Sequence, residues 1–410
     1  MEIIDTFSNK KIKINLSPNI YLCGPTVYDY VHIGNVRPLI IFDILNRVMS
    51  LNGNVTYVHN LTDIDDKIIA QAQKENKNEL DLSFFYAKDY LNLIDKLNIK
   101  KPTYLPKVSE NMNEIIKVID ELIKKSFAYE KEDGIYFSIK KWDKYFKINN
   151  FSVDKLKISD LSREKNSFDF SLWKITKDNG IKFKSKWGDG RPGWHTECAA
   201  LIMKYFKGKT IDLHGGGVDL KFPHHINEWA QFSALTGSDI TRAWMHIGHV
   251  NFDNKKMSKS LGNTIYVRNF LKKYSSNVLK FLLISSFYTK PVNVNENSIK
   301  NAQMQVDKIR NLLFKLVYLY DLKENNFLIK KDEEFLKIIN NNLNIPNSIS
   351  LLNLYIKKIN KNYDKEIIKK FLFILNIFGI SYNIDFKLLN ELKNKKMETD
   401  DLKIREVIKI

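Results

Sequence analysis

Apolar residues recur with two different periods along this chain, and the change of period divides it. Asn19 to Cys23 is a short apolar run that ends at Gly24-Pro25, and it predicts a strand. Gly34 to Leu51 carries Leu39, Phe42, Ile44, Leu45 and Val48 at helical spacing and closes at Asn52-Gly53. Val55 to Leu61, with its β-branched residues, predicts a second strand. Strand, helix and strand within about forty-five residues make a βαβ unit, which implies a parallel sheet. Helical spacing follows over Leu80 to Leu97 and over Val108 to Lys125. Phe127 to Ile139, with Asp133-Gly134 at its centre, predicts a hairpin. Thr210 to His214 and Trp244 to Phe252 predict two more strands, separated by a helix near His224 to Leu235. From Glu296 to Phe378 the spacing is helical, as in Ile309, Leu312, Leu313, Leu316 and Leu319, so this part is expected to be a bundle.

Composition sharpens that division. Of 16 glycines only Gly379 lies beyond Gly262, and all six tryptophans lie at or before Trp244. Turn chemistry therefore belongs to an α/β region and is scarce in the helical remainder. A chain of 410 residues with 44% hydrophobic residues has ample material for a core and for two or three domains. No segment approaches the roughly 18 uninterrupted apolar residues of a membrane span, and Met1 to Leu16 has no apolar leader core. A soluble, cytoplasmic chain is expected. The net charge of +18 suggests an anionic partner, nucleic acid first. It is weak support, because 57 Lys against 8 Arg is the skew that AT-rich coding also produces.

Three constellations carry chemistry. Cys23-Gly24-Pro25-Thr26-Val27-Tyr28-Asp29 and His32-Ile33-Gly34-Asn35 lie between the first strand and its helix. In an open α/β sheet that is the ligand crevice, where helix N-terminal amides face phosphate and His32 can donate to a phosphoryl oxygen. Lys255-Lys256-Met257-Ser258-Lys259-Ser260-Leu261-Gly262 follows the last predicted strand and suits a loop that brings ammonium groups to a triphosphate. Each alone is equally well an ordinary loop. Together, more than two hundred residues apart, they are seldom a coincidence. In Phe222-Pro223-His224-His225-Ile226-Asn227-Glu228, Pro223 suits a helix start, and His224 and Glu228 share one helical face. With Cys23 and Cys198 they make a donor set suited to zinc. Two isolated cysteines also suit buried apolar thiols, and His225 with Glu228 suits a surface pair.

The pair of loop motifs resembles the HIGH and KMSKS elements of class I aminoacyl-tRNA synthetases. Further segments resemble the cysteinyl-tRNA synthetase family in particular: Cys23 to Asp29, Asn60 to Lys67, Gly193 to Cys198, Asp212 to Gly217, and Asp219 to Glu228. The resemblance runs from about Ile12 to at least Tyr288. It implies an α/β fold class, with a Rossmann-like parallel-sheet catalytic domain, an insertion and an all-α helical bundle. The implied divisions are 1–97 and 187–255 for the catalytic domain and 98–186 for the insertion. The KMSKS and stem-contact region is 256–295, the tRNA-binding bundle 296–384 and the remnant of an anticodon-binding domain 385–410. The resemblance also implies ATP-dependent ligation of L-cysteine to tRNA(Cys) by a monomer, with ATP-Mg²⁺ as substrate. One Zn²⁺ per chain would be held by Cys23, Cys198, His224 and Glu228. His32, Gly34, Asn35, Lys256, Ser258 and Lys259 would surround ATP, with His32, Asn35, Lys256 and Lys259 as the catalytic groups. Thr62 and Trp194 would line the amino-acid pocket, and Asp219, after a three-glycine turn, would hold the ammonium. A zinc ion that takes the substrate thiolate distinguishes cysteine from serine by softness, so no editing domain is implied.

Two features depart from the family pattern. The HIGH element ends in Asn35 where the family has histidine, and Asn still donates a hydrogen bond. Leu392 to Ile410 resembles only the helical start of the anticodon-binding domain, which leaves two expectations open: no anticodon reading, or reading by a minimal helical surface. Two alternatives follow from these departures. One is a cysteine ligase with a small amine acceptor, of the mycothiol type, which the bundle argues against. The other is a non-catalytic tRNA-binding paralogue, which would have no need of intact lysines and metal ligands.

Overall fold

The computed structural model describes residues 1–145, 169–257, 262–319, 330–395 and 401–410. A hairpin of β1 (Glu2–Ile4) and β2 (Lys11–Lys13) precedes β3 (Asn19–Leu22), α1 (Ile33–Met49) and β4 (Thr56–His59). Next come α2 (Asp66–Glu75), α3 (Glu79–Lys96) and α4 (Met112–Lys124). An antiparallel sheet follows, ordered β5 (Ala128–Lys131), β6 (Gly134–Phe137), β7 (Phe170–Ile175), β8 (Gly190–Pro192). The chain then returns through α5 (Trp194–Tyr205), β9 (Ile211–Gly217), α6 (Ile226–Thr236) and β10 (Thr241–Ile247).

The central sheet is parallel, in the order β10-β9-β3-β4. From β3 the chain crosses by α1 to β4 on one side, and from β9 by α6 to β10 on the other. The direction of winding therefore reverses between β3 and β9, and a crevice opens beyond their carboxyl ends. The three glycines expected in a turn are instead the last residues of β9, paired with Met245, His246 and Ile247. Their smallness serves packing. A Cβ on Gly215 would stand 2.2 Å from the Phe42 ring of α1, so the helix lies directly on the strand's backbone.

The single strand expected over Trp244 to Phe252 is two. β11 (Val250–Phe252) leaves the central sheet and joins β12 (Lys255–Lys256) and β13 (Val292–Val294). Between them α7 (Val267–Phe270) and α8 (Ser276–Leu283) intervene. The buried Arg37 guanidinium explains the break: it donates to the Gly248 carbonyl at 2.6 Å and to the Lys290 carbonyl at 2.7 Å. Carbonyls held that way are unavailable to a continuous ladder.

The bundle is α9 (Glu296–Leu319), α10 (Glu333–Ile339), α11 (Ile345–Lys361) and α12 (Lys365–Ile377). β14 (Asn383–Ile384), α13 (Phe386–Lys395), α14 (Asp401–Val407) and β15 (Ile408–Lys409) follow, and β14 pairs antiparallel with β15. One hydrophobic cluster runs from Ile20 and Phe42 through Leu279 to Leu313 and Phe371, so the bundle and one face of the sheet share a core. Two cations fasten the join: the buried Lys280 donates to the Gly379 carbonyl at 2.6 Å, and the half-buried Arg47 donates to the Asn376 carbonyl at 3.2 Å. Among the described residues no helix is long and apolar enough to cross a membrane.

Candidate active site

A cavity of about 250 Å³ occupies the crevice between β3 and β9. Of the side chains expected at the site, Cys23, His32, Asn35, Thr62, Trp194, Cys198, Asp219 and His224 all line it, with the backbone of Gly34. Glu228 lies just behind, buried. Ser258 and Lys259 lie outside the described residues. Lys256 ends β12, which pairs with β11 beside the crevice.

One end of the cavity is a donor cluster. Cys23 follows β3, Cys198 sits on α5, and His224 and Glu228 flank the start of α6. Cys23 Sγ is 3.8 Å from Cys198 Sγ, 3.6 Å from His224 Nε2 and 3.6 Å from Glu228 Oε1. Bonds of about 2.3 Å from zinc to sulfur, set tetrahedrally, separate two sulfurs by about 3.8 Å. The donor types and spacing fit a divalent metal ion. The fourth edge, His224 Nε2 to Glu228 Oε1 at 2.8 Å, is a direct hydrogen bond. Cys23, His214, His225 and Glu228 make a second set within reach of one ion, sharing two donors with the first.

Electrostatics favour a bound cation. Burial pushes the Cys23 thiol well up, whereas the hydrogen bond from Cys23 draws the Cys198 thiol down to about 6. Burial opposes the charge on Glu228, yet His224 and His214 hold its carboxyl well below the usual range. Burial opposes charge on His224 too, yet Glu228 and Cys198 raise its pKa to about 10, so Cys198 and Glu228 favour their anionic forms with His224 as counter-charge, a place that a metal cation can take.

A layer of histidines supports the cluster, and sequence reasoning assigned no role to most of it. His214 Nε2 lies 2.6 Å from Glu228 Oε2, and His195 Nδ1 lies 3.0 Å from His224 Nδ1. Burial and the neighbouring His224 push the His195 pKa well down, so its neutral ring accepts from His224 and leaves His224 Nε2 to the cluster. His225 was open to a surface pairing with Glu228. It is instead fully buried, with Nδ1 2.8 Å from His246 Nε2. The signal for this layer was the density of histidine: five of eight lie at 195, 214, 224, 225 and 246.

The other end of the cavity is the start of α1. His32 is its N-cap: Nδ1 accepts from the Gly34 amide at 3.1 Å, and Asn35 Oδ1 accepts from the His32 amide at 3.2 Å. This reciprocal box assigns both side chains. His32 Nδ1 is the acceptor, so the proton is on Nε2. Asn35 turns its carbonyl to the helix, which makes its amide group the part able to donate. A Cβ on Gly34 would stand 2.9 Å from the His32 ring, so glycine makes room for the cap.

Between the ends, Trp194 stacks on His224 with centroids 4.2 Å apart, while 39% of it stays exposed. Thr62 is buried and donates to Glu197 Oε2 at 3.4 Å; burial pushes the Glu197 carboxyl well up. His59 and Tyr90 form a wall through a 2.7 Å hydrogen bond. Asp219 stands in a short 3₁₀ turn directly after β9, facing the cavity.

An open α/β sheet with a polar cavity at its switch point is the architecture of several nucleotide-using classes, and the comparisons with known proteins separate them. Methionyl-tRNA synthetase from Mycobacterium tuberculosis, solved with methionyl-adenylate, matches with TM-score 0.63 at 12% identity over 88% of this chain and 89% of its own. That likeness is one of fold. A family model described as "tRNA synthetases class I (C) catalytic domain" matches residues 8–304. A relative from Mesoplasma florum named "Cysteine--tRNA ligase" is 42% identical over 96% of this chain and 93% of its own length. One of the same name from Bacillus pumilus is 37% identical over 91% and 84%. The chain belongs to the cysteine–tRNA ligase family of class I aminoacyl-tRNA synthetases.

Proposed function

We propose that this chain activates L-cysteine with ATP-Mg²⁺ and transfers it to tRNA(Cys), acting in the cytoplasm as a monomer. The observation that carries the proposal is one cavity with a thiol-selective donor cluster at one end and a capped helix N-terminus at the other. Cys23, Cys198, His224 and Glu228 hold zinc, which when bound supplies a soft Lewis acid that prefers a thiolate to the hydroxyl of serine. Asp219 pairs with the substrate ammonium, and Thr62 and Trp194 close around the amino acid.

In the first step the cysteine carboxylate attacks the α-phosphorus of ATP and pyrophosphate leaves. His32, protonated on Nε2, and the Asn35 amide donate to phosphoryl oxygens beside the helix N-terminus. Lys256 and Lys259, with Ser258, meet the charge that grows on the leaving group. In the second step a hydroxyl of the terminal tRNA ribose attacks the activated carbonyl and AMP leaves. Positioning and charge stabilisation supply the catalysis, with no covalent enzyme intermediate. The domain divisions follow from these roles: 1–97 with 187–255 for chemistry, 98–186 as insertion, 256–295 for the lysine loop and acceptor stem. The bundle, 296–384, takes the tRNA body, and 385–410 belongs to the anticodon-binding part.

Two assays test the proposal. Cysteine-dependent ATP–pyrophosphate exchange, with serine inactive, is expected together with charging of tRNA(Cys). Exchange without charging of any tRNA sinks the ligase proposal and leaves an amine acceptor. Absence of both sinks catalysis altogether.

A further inference from the structure

We propose that Phe85, backed by Tyr30, is a stacking platform for the single-stranded 3′ end of a tRNA at the mouth of the cavity. It rests on the tRNA ligase reading and adds a subsite to it.

Helix α3 runs outward along the cavity wall. Its Tyr90 is buried against His59 and lines the cavity. One turn earlier, Tyr86 meets the Tyr30 ring edge to face, with centroids 5.1 Å apart at 88°. Phe85 stands outermost, 5.2 Å from Tyr86 at 80° and 6.2 Å from Tyr30 at 75°. Tyr30 itself lines the cavity, two residues before the helix cap at His32. The rings thus form a ladder from the reaction site to the surface.

The outer rung is bare: Phe85 is 50% exposed, and Phe84 beside it is 62% exposed. Adjacent exposed phenylalanines are uncommon on a monomer's surface unless something covers them. Cations flank the ladder. The Arg268 guanidinium lies 4.0 Å over the Tyr30 ring, and the Lys77 ammonium lies 5.8 Å from the Phe85 centroid. Lys77 is ion-paired with Glu75 at 2.7 Å, and the exposed Arg268 has the Asp89 carboxylate of α3 near it; Arg268, lying over the ring itself, is the stronger candidate for a phosphate. Aromatic faces with cations alongside are how single-stranded nucleic acids are held without base readout. A protein partner explains the exposed rings but not their continuity with a cavity that must receive a terminal ribose.

The test compares equilibrium binding of full-length tRNA(Cys) with the same tRNA lacking its unpaired 3′ nucleotides. The unmodified protein is expected to favour the full-length tRNA by about 5- to 100-fold, the range of one stacked base. Phe85→Ala shrinks that preference at least about 5-fold, Phe85→Trp restores it, and charging falls more than ATP–pyrophosphate exchange by a similar factor. An unchanged preference in Phe85→Ala overturns the platform, as does an equal loss of charging and exchange. If the unmodified protein binds neither tRNA, the ligase reading falls as well.

Discussion

The two ends of the cavity are built in opposite ways. At the proposed metal end, Cys23, Cys198, His224 and Glu228 come from segments spread over two hundred residues; Cys198, His224 and Glu228 are buried and Cys23 is half-buried. Their orientations depend on a second layer, the half-buried His195 and the fully buried His214. At the proposed nucleotide end, His32, Gly34 and Asn35 lie within four residues, are partly or wholly exposed, and are oriented by hydrogen bonds to one another. A buried, long-range site has few ways to rearrange when one member is lost, because an unpaired charged group inside the protein is costly. A local cap with solvent nearby has water as a substitute partner. The difference teaches where a substitution is expected to be costly and where one, such as Asn35 in place of histidine, is expected to be tolerated.

Four measurements bear on that contrast. The largest effect is expected at the metal end: Cys198→Ser takes cysteine-dependent exchange to background and metal content below one ion per chain, read by elemental analysis. Retained metal with normal exchange would break the contrast. At the nucleotide end Lys259→Ala is expected to lower the exchange kcat by about 10²- to 10³-fold while metal content stays intact. A loss of metal in this variant would mean the two ends are not independent.

The wall between the ends gives a pH signature. Burial pushes the His59 pKa from 6.5 down to about 4, with the hydrogen bond to the Leu22 carbonyl acting the other way. Between those values the unfolded chain holds a proton that the folded chain does not. Stability is therefore expected to fall as pH drops from about 6.5 to 4, by about 3 kcal/mol, and to be insensitive to this group above. Urea titrations check it, and His59→Asn should flatten the slope. The smallest effect is at the cap: Asn35→Ala is expected to cost about 1 kcal/mol of stability and to raise the KM for ATP modestly. A cost several times larger would show the nucleotide end to be as interlocked as the metal end.

Much of the architecture was legible in the amino-acid order. The spacing of Leu39, Phe42 and Leu45 announced α1, and the runs at Asn19 and Val55 announced the strands it joins. The bundle helices were equally plain, because α9 repeats its apolar face over 24 residues. Three of the features that were not anticipated show why. Helix α2 buries only Ile68, Ile69 and Ala72, too short a stripe to stand out. The β1–β2 hairpin is held by residues over three hundred positions away, as in the 2.9 Å bond from the Ile4 amide to Asn342 Oδ1. The break between β10 and β11 depends on Arg37, a residue that local sequence around Gly248 does not contain.

By itself, then, the sequence determined the periodic elements and the parallel βαβ plan, since each depends on side chains within a few turns of one another. It also named the four donors through resemblance. Only the tertiary structure decided that those donors stand at metal-binding distances, that His195 and His214 orient them, and that the glycines of β9 are strand residues under Phe42. These outcomes depend on burial and on distances between segments far apart in the chain. Periodicity carries no information about either, because it records which face a residue occupies and not what that face meets.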